Sequence, residues 1–134
     1  MKTVVFACVH NAGRSQMASA FFDRLADPEK ARAVSAGTRP GEHVHPEVVD
    51  VMREVGIDLV AARPRLLTDD LARTADLLVT MGCEETCPVV PGISREDWDL
   101  RDPKGLPIEQ VRTIRDDVRS RVAALVRRRG WGRQ

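Results

Sequence analysis

Thr3-Val4-Val5-Phe6-Ala7 is an unbroken apolar run that reads as a buried strand. It leads straight into Cys8-Val9-His10-Asn11-Ala12-Gly13-Arg14-Ser15, and beyond Arg14 the apolar residues Met17, Ala18, Phe21, Phe22 and Leu25 recur at helical spacing. A strand, a short loop and a helix in this order point backbone N–H groups and a helix N-terminus at one spot, which makes an anion site. Arg14 adds a bidentate fork for oxyanion oxygens. Cys8 lies at the edge of the same positive field, where the thiolate form is favoured. A thiolate facing a bound tetrahedral oxyanion is a nucleophile set for in-line attack. A plain strand-end thiol would leave three neighbours without a role. Gly13 allows a close backbone approach or a positive φ, arginine is rarely buried without an anionic partner, and Ser15 supplies a hydroxyl.

The rest of the chain extends this unit into an α/β fold. Strand one spans about Thr3 to Cys8, and helix one spans about Arg14 to Ala26, ending at Asp27-Pro28. Ala31 to Ala36 is a short second strand, followed by the turn Gly37-Thr38-Arg39-Pro40-Gly41. Pro46 suits a first helical position, Val48, Val49, Met52 and Val55 form an apolar face, and Gly56 is the stop. Ala61 to Pro64 is a connector. Thr68 with Asp69 and Asp70 reads as an N-cap and acidic first turn. Asp76 to Met81 is a third strand, Gly82 to Ser94 a loop, Asp97 to Leu100 a short fourth strand, and a last helix starts near Pro107. The order predicts a four-stranded parallel sheet with helices on both faces, formed as one domain over residues 1–134. Ligands bind such sheets at the carboxyl ends of strands. Cys8 and Gly82-Cys83 both fall on that rim.

Twenty-one basic and 20 acidic residues leave a net charge of +1, which gives no support to a nucleic-acid or membrane role, and none is expected. Arg127-Arg128-Arg129 and Arg133 read as a solvated helix end. No apolar stretch approaches a membrane span, and the apolar N-terminal run is too short for a signal peptide. A cytoplasmic location is expected, where three cysteines point to redox chemistry or metal rather than structural disulfides.

Cys83 and Cys87 would lie about 6 Å apart in one helical turn, within disulfide reach. Glu84-Glu85-Thr86 favours that turn, and Pro88 disfavours it at Cys87. A zinc site built from Cys83, Cys87, His43 and His45 competes with this reading. The two histidines, however, sit in a Gly/Pro-bounded loop and read better as surface loop and helix N-cap. His10 either supports the thiolate or shapes the loop. Asp102-Pro103 is by itself a turn former. On the same rim its carboxyl group could also protonate an oxygen leaving as water. Trp98 and Trp131 are taken as packing and tail residues.

Taken together, Cys8 to Ala18, Ser35-Ala36-Gly37-Thr38, Met81-Gly82-Cys83, Cys87-Pro88 and Asp102-Pro103 resemble the low-molecular-weight tyrosine phosphatase superfamily, and within it the arsenate reductases. The resemblance runs from Lys2 to about Leu125. It implies Cys8 as nucleophile, Arg14 as oxyanion clamp and Asp102 as acid. Residues Val9, His10, Asn11, Ala12, Gly13, Arg14 and Ser15 would cradle the oxyanion, with Ser15 and Asn11 supporting the thiolate and the loop. Phosphatases of this family typically carry tyrosines after the Asp-Pro pair; here Lys104-Gly105 follows, and the chain has no tyrosine. The resemblance further implies attack by Cys83 on the Cys8–arsenic adduct, then by Cys87 on Cys83, with thioredoxin as final reductant. The Cys83–Cys87 spacing is tighter than in thioredoxin-linked members. Actinobacterial-type relatives use a small thiol such as mycothiol, with only Cys8 essential. No tightly bound cofactor is expected, apart from a potassium ion that Asn11 and Ser35 could contact, and the protein is expected to be a monomer. The competing functions are a protein-tyrosine phosphatase and an arsenite- or zinc-binding module using the three thiols as ligands.

Overall fold

The computed structural model describes residues 1–82 and 90–133. Its elements are β1 (Lys2–Cys8), α1 (Arg14–Leu25), β2 (Ala31–Gly37), α2 (Pro46–Arg53), α3 (Asp69–Arg73), β3 (Leu77–Thr80), β4 (Ser94–Asp97) and α4 (Ile108–Arg129). The strands form one sheet in the order β2-β1-β3-β4, and every pair is parallel. The chain moves from β1 to one side for β2 and to the other side for β3. The carboxyl end of β1 is therefore the point where the winding reverses, the place where open α/β sheets bind their ligands.

Alternation along β1 sends side chains to two cores. Val4, Phe6 and Cys8 join the buried residues of α1, α2 and α4 on one face. Val5 and Ala7 join Leu67, Ala72, Ala75 and Leu78 beneath α3 on the other. Phe6 packs edge-on against Phe22, with ring centroids 5.8 Å apart, and tilts against Trp98 at 5.9 Å. Local signals set several boundaries. Pro46 opens α2, and Thr68 Oγ1 accepts the Leu71 N–H at 3.0 Å to cap α3.

One expectation is corrected. The fourth strand is Ser94–Asp97 rather than Asp97 to Leu100. It is a mostly exposed edge strand of charged residues, so it carries no hydrophobic pattern, whereas Trp98 and Leu100 beyond it are buried in the core. The C-terminal arginines are exposed, as expected of a solvated helix end, and Arg128 and Arg129 also make contacts. Arg128 forms two short bonds to the Glu96 carboxylate, at 2.6 and 2.7 Å. Arg129 lies over the Trp131 ring at 5.7 Å, and Trp131 packs on Phe22 at 5.9 Å. Among the described residues no helix is long and apolar enough to cross a membrane.

Glu54, at the end of α2, ties that helix to α4. Arg112 reaches both its oxygens, at 3.0 to 2.8 Å, and Arg115 donates to Oε1 at 2.8 Å. The hydrogen bond from Arg112 leads the causes that hold the Glu54 carboxyl below its ordinary value of 4.5. A depressed carboxyl stabilises the fold above its unfolded-state value, and that contribution is lost as the pH falls through the folded-state value. The urea midpoint should therefore fall as the pH drops below about 4.5, and Glu54→Gln should flatten that dependence. Parallel curves for the two proteins would contradict this assignment.

Candidate active site

The loop from Cys8 to Gly13 turns its carbonyl groups outward, and protein donors meet each one. Thr38 N–H donates to Cys8 O at 3.1 Å, Arg39 N–H to Val9 O at 2.8 Å and Gly41 N–H to His10 O at 2.9 Å. Gln16 Nε2 donates to Asn11 O at 3.1 Å. His45 N–H reaches Ala12 O at 2.9 Å, and Met17 N–H reaches Gly13 O at 3.0 Å. Among the described residues no backbone carbonyl takes the N–H groups of residues 9 to 15. A peptide chain with its oxygens bound on the outside presents its N–H groups to the inside, at the N-terminus of α1. This is a cradle for an anion.

Cys8 ends β1 and is 2% exposed as a residue. Its Sγ lies 2.8 Å from Ser15 Oγ. Ser15 Oγ also accepts a hydrogen bond from Asn11 Nδ2 at 2.7 Å. With Asn11 donating to Ser15 Oγ, the Ser15 hydroxyl hydrogen can point at the Cys8 sulfur, and the three side chains form one connected chain. The contact holds the Cys8 sulfur at the end of β1 beside the start of α1. Asn11 is fully buried at φ 50°, the left-handed region that asparagine tolerates better than most residues. Its Oδ1 accepts from Arg65 N–H at 3.0 Å and from Gln16 Nε2 at 3.2 Å. These two donors occupy both lone pairs of Oδ1, so Asn11 Oδ1 does not fit as a ligand for a potassium ion.

Gly13 has a negative φ of −146°, so the freedom it was expected to supply is not used as a positive φ. The close approach is. A Cβ at Gly13 would stand 2.8 Å from Pro103 Cγ and 3.6 Å from His45 Cδ2. The Asp102-Pro103 turn and the start of α2 therefore close onto the loop at this glycine.

Arg14 is buried, and its Nη1 donates to Leu100 O at 3.1 Å. Its Nη2 stands 3.7 Å from Asp102 Oδ2, on a carboxyl that is 42% exposed. Lys104 N–H holds the other oxygen, Oδ1, at 3.0 Å, so Oδ2 is the oxygen turned to the clamp. The structure thus brings Cys8, Asn11, Ser15, Arg14 and Asp102 to one rim. Cys83 and Cys87 lie outside the described residues, as does the zinc arrangement that would use them. Among the described residues no group of three metal-binding side chains occurs. His43 is exposed, and His45 occupies the N-cap position of α2. Burial holds the His45 imidazole below its ordinary value, against the opposing pull of Asp102 and Glu47.

Gln16 and Leu100 belong to this site and carried no role in the sequence, whereas His45, expected as a helix N-cap, takes that position and also braces the loop. Gln16 lies at helical spacing with nothing to distinguish it from a surface residue. Leu100 acts through its carbonyl, and His45 is brought to the loop only by tertiary packing.

Ser15→Ala removes the donor at Cys8. In a Cys83→Ser/Cys87→Ser background it should slow alkylation of Cys8 by iodoacetamide at neutral pH by roughly tenfold, the worth of one hydrogen bond. An unchanged rate would remove Ser15 from thiolate support.

The model of the family described as low molecular weight phosphotyrosine protein phosphatase matches residues 3–130. A putative arsenate reductase of Halobacterium salinarum is 43% identical over 124 residues, covering 90% of this chain and 87% of that one. A solved thioredoxin-dependent arsenate reductase of Corynebacterium glutamicum shares 36% identity at a TM-score of 0.80, over 95% of this chain but only 61% of that longer one. An arsenate reductase of Archaeoglobus fulgidus shares 31% identity at a TM-score of 0.75, over 92% and 98% of the two chains. Matched over nearly its whole length, the chain belongs to the low molecular weight phosphotyrosine protein phosphatase family.

Proposed function

We propose that this protein is an arsenate reductase, a thiol-dependent enzyme that converts arsenate to arsenite for arsenic detoxification. The carrying observation is the buried Cys8 sulfur, hydrogen-bonded through Ser15 to Asn11, at the mouth of a loop whose carbonyls are all bound outward. Arsenate reductases with 43% and 31% identity over about nine-tenths of the chain support the choice of substrate.

The loop N–H groups and Arg14 take up arsenate as they would phosphate. The Cys8 thiolate attacks arsenic, and one arsenate oxygen leaves as water with a proton from Asp102 Oδ2. The adduct is a sulfur–arsenic(V) bond. A second thiolate, assigned to Cys83, attacks the Cys8 sulfur. The sulfur–arsenic pair stays with arsenic, which is reduced to arsenic(III) and departs as arsenite, and a Cys8–Cys83 disulfide forms. Phosphorus does not accept that electron pair readily, which is why a phosphatase-like loop joined to further thiols suits arsenate. Cys87 then attacks Cys83, returning Cys8 as thiolate and leaving a Cys83–Cys87 disulfide. A dithiol donor of the thioredoxin class reduces that disulfide. Thioredoxin is the proposed partner because the Corynebacterium glutamicum protein depends on it; mycothiol or another small thiol is the alternative donor. The enzyme is proposed to work as a cytoplasmic monomer with no tightly bound cofactor.

The test is arsenate-dependent NADPH oxidation with thioredoxin and thioredoxin reductase. Wild type should turn over, and Cys8→Ser, Cys83→Ser and Cys87→Ser should all be inactive. Asp102→Asn should lower kcat by about 10²- to 10⁴-fold, the usual worth of a general acid. Turnover with a small thiol alone, lost only in Cys8→Ser, would replace the relay with that donor. Aryl phosphate hydrolysis without arsenate turnover would move the assignment to a protein-tyrosine phosphatase. Thiol-dependent metal retention that survives Arg14→Ala would move it to a binding module.

A further inference from the structure

Three groups outside the Cys8 loop bound the Arg14 guanidinium. Leu100 O and the Asp102 carboxylate attract it. The third is a space. A Cβ built on Gly82 would overlap Arg14 Nη1 and would lie 3.3 Å from Cζ and 3.7 Å from Nη2. Gly82 also has φ +89°, which side-chain-bearing residues rarely adopt. Its backbone is anchored from behind, where Met81 N–H donates to Ala7 O at 2.7 Å at the end of β3. The glycine backbone therefore cannot easily retreat, and the guanidinium is the movable partner.

We infer that Gly82 is a positioning residue for oxyanion binding: its missing side chain leaves the room in which the Arg14 guanidinium is held by Leu100 O and Asp102 beside the Cys8 loop. Displacing the end of a long side chain disturbs the fold far less than moving backbone. A side chain at position 82 therefore misplaces the clamp while the sheet survives. Gly82 is bonded directly to Cys83, so the segment bearing the proposed relay thiol begins at the residue that makes room for the clamp. The inference rests on the oxyanion-binding half of the proposed function and not on the reduction step.

Titration of the reduced protein with inorganic phosphate tests it, because phosphate binds without turnover. Gly82→Ala should weaken phosphate binding by about 10- to 100-fold, the worth of a charge-assisted hydrogen bond. Gly82→Asn should weaken it as much, since asparagine tolerates a positive φ but carries the same Cβ. In an Arg14→Lys background, which lacks the Nη atoms, Gly82→Ala should change binding by less than about twofold. The Arg14 Nε–H resonance, identified by its loss in Arg14→Lys, should shift in Gly82→Ala. Unchanged phosphate affinity, an equal loss in the Arg14→Lys background, or recovery of binding in Gly82→Asn would overturn the inference. Unfolding of both Gly82 variants would overturn it too, by making the glycine a requirement of the fold. If wild type fails to bind phosphate, the inference and the oxyanion reading fall together. If the phosphate results hold but arsenate is never reduced, only the reductase reading falls.

Discussion

The site depends on which way the loop after β1 turns its peptide groups. Six successive carbonyls, from Cys8 to Gly13, are bound on the outer side by N–H groups of the 38–45 segment, by Gln16 and by α1 itself. Buried peptide groups must be satisfied, and each outward bond fixes one peptide plane. With the oxygens spent on the protein, the N–H groups are left for a ligand. The residues following β2 are therefore a brace as well as a connection. Parallel pairing brings them there, because Cys8 lies opposite Gly37 in the β1–β2 register.

Arg14 is the second point of convergence. It starts α1, yet its guanidinium is bounded by the turn after β3, through Gly82, and by the segment after β4, through Leu100 and Asp102. All three strands end on the same rim of a parallel sheet, which is how residues 14, 82, 100 and 102 come to share one place. The buried arginine satisfies part of its donor set on protein and meets one half-exposed carboxylate. An isolated charge would be costly in such a position, and an incoming oxyanion offsets that cost. The same arrangement suits phosphate and arsenate alike. What separates the two outcomes is the fate of the sulfur adduct, so the proposed relay thiols decide the chemistry and the cradle does not.

Much of this was legible in the sequence because the signals were local. The apolar run before Cys8, Pro46 at a helix start and the Thr68 cap each act within a few residues, and each appears where local physics places it. The strand at Ser94–Asp97 was displaced by three residues because an exposed edge strand carries no alternation to read. Asn11 rather than Gly13 takes the positive φ, because a buried amide with several hydrogen bonds can hold a conformation that composition assigns to glycine. Leu100 left no trace because it acts through its backbone carbonyl, and Gln16 because a polar residue on a helix reads as a surface one until its amide is seen on Asn11. The close approach at Gly13 was expected, but what approaches it, and the space at Gly82, can be seen only once the neighbours are in place.

The most direct measurement is a single turnover without any donor. Fully reduced protein is mixed with a slight excess of arsenate, and arsenite and free thiols are counted together. Reduction through Cys8 and the proposed relay predicts one arsenite released per protein, with two of the three thiols lost and the third retained. Arsenate recovered unchanged with all three thiols intact would contradict reduction by this chain's own cysteines.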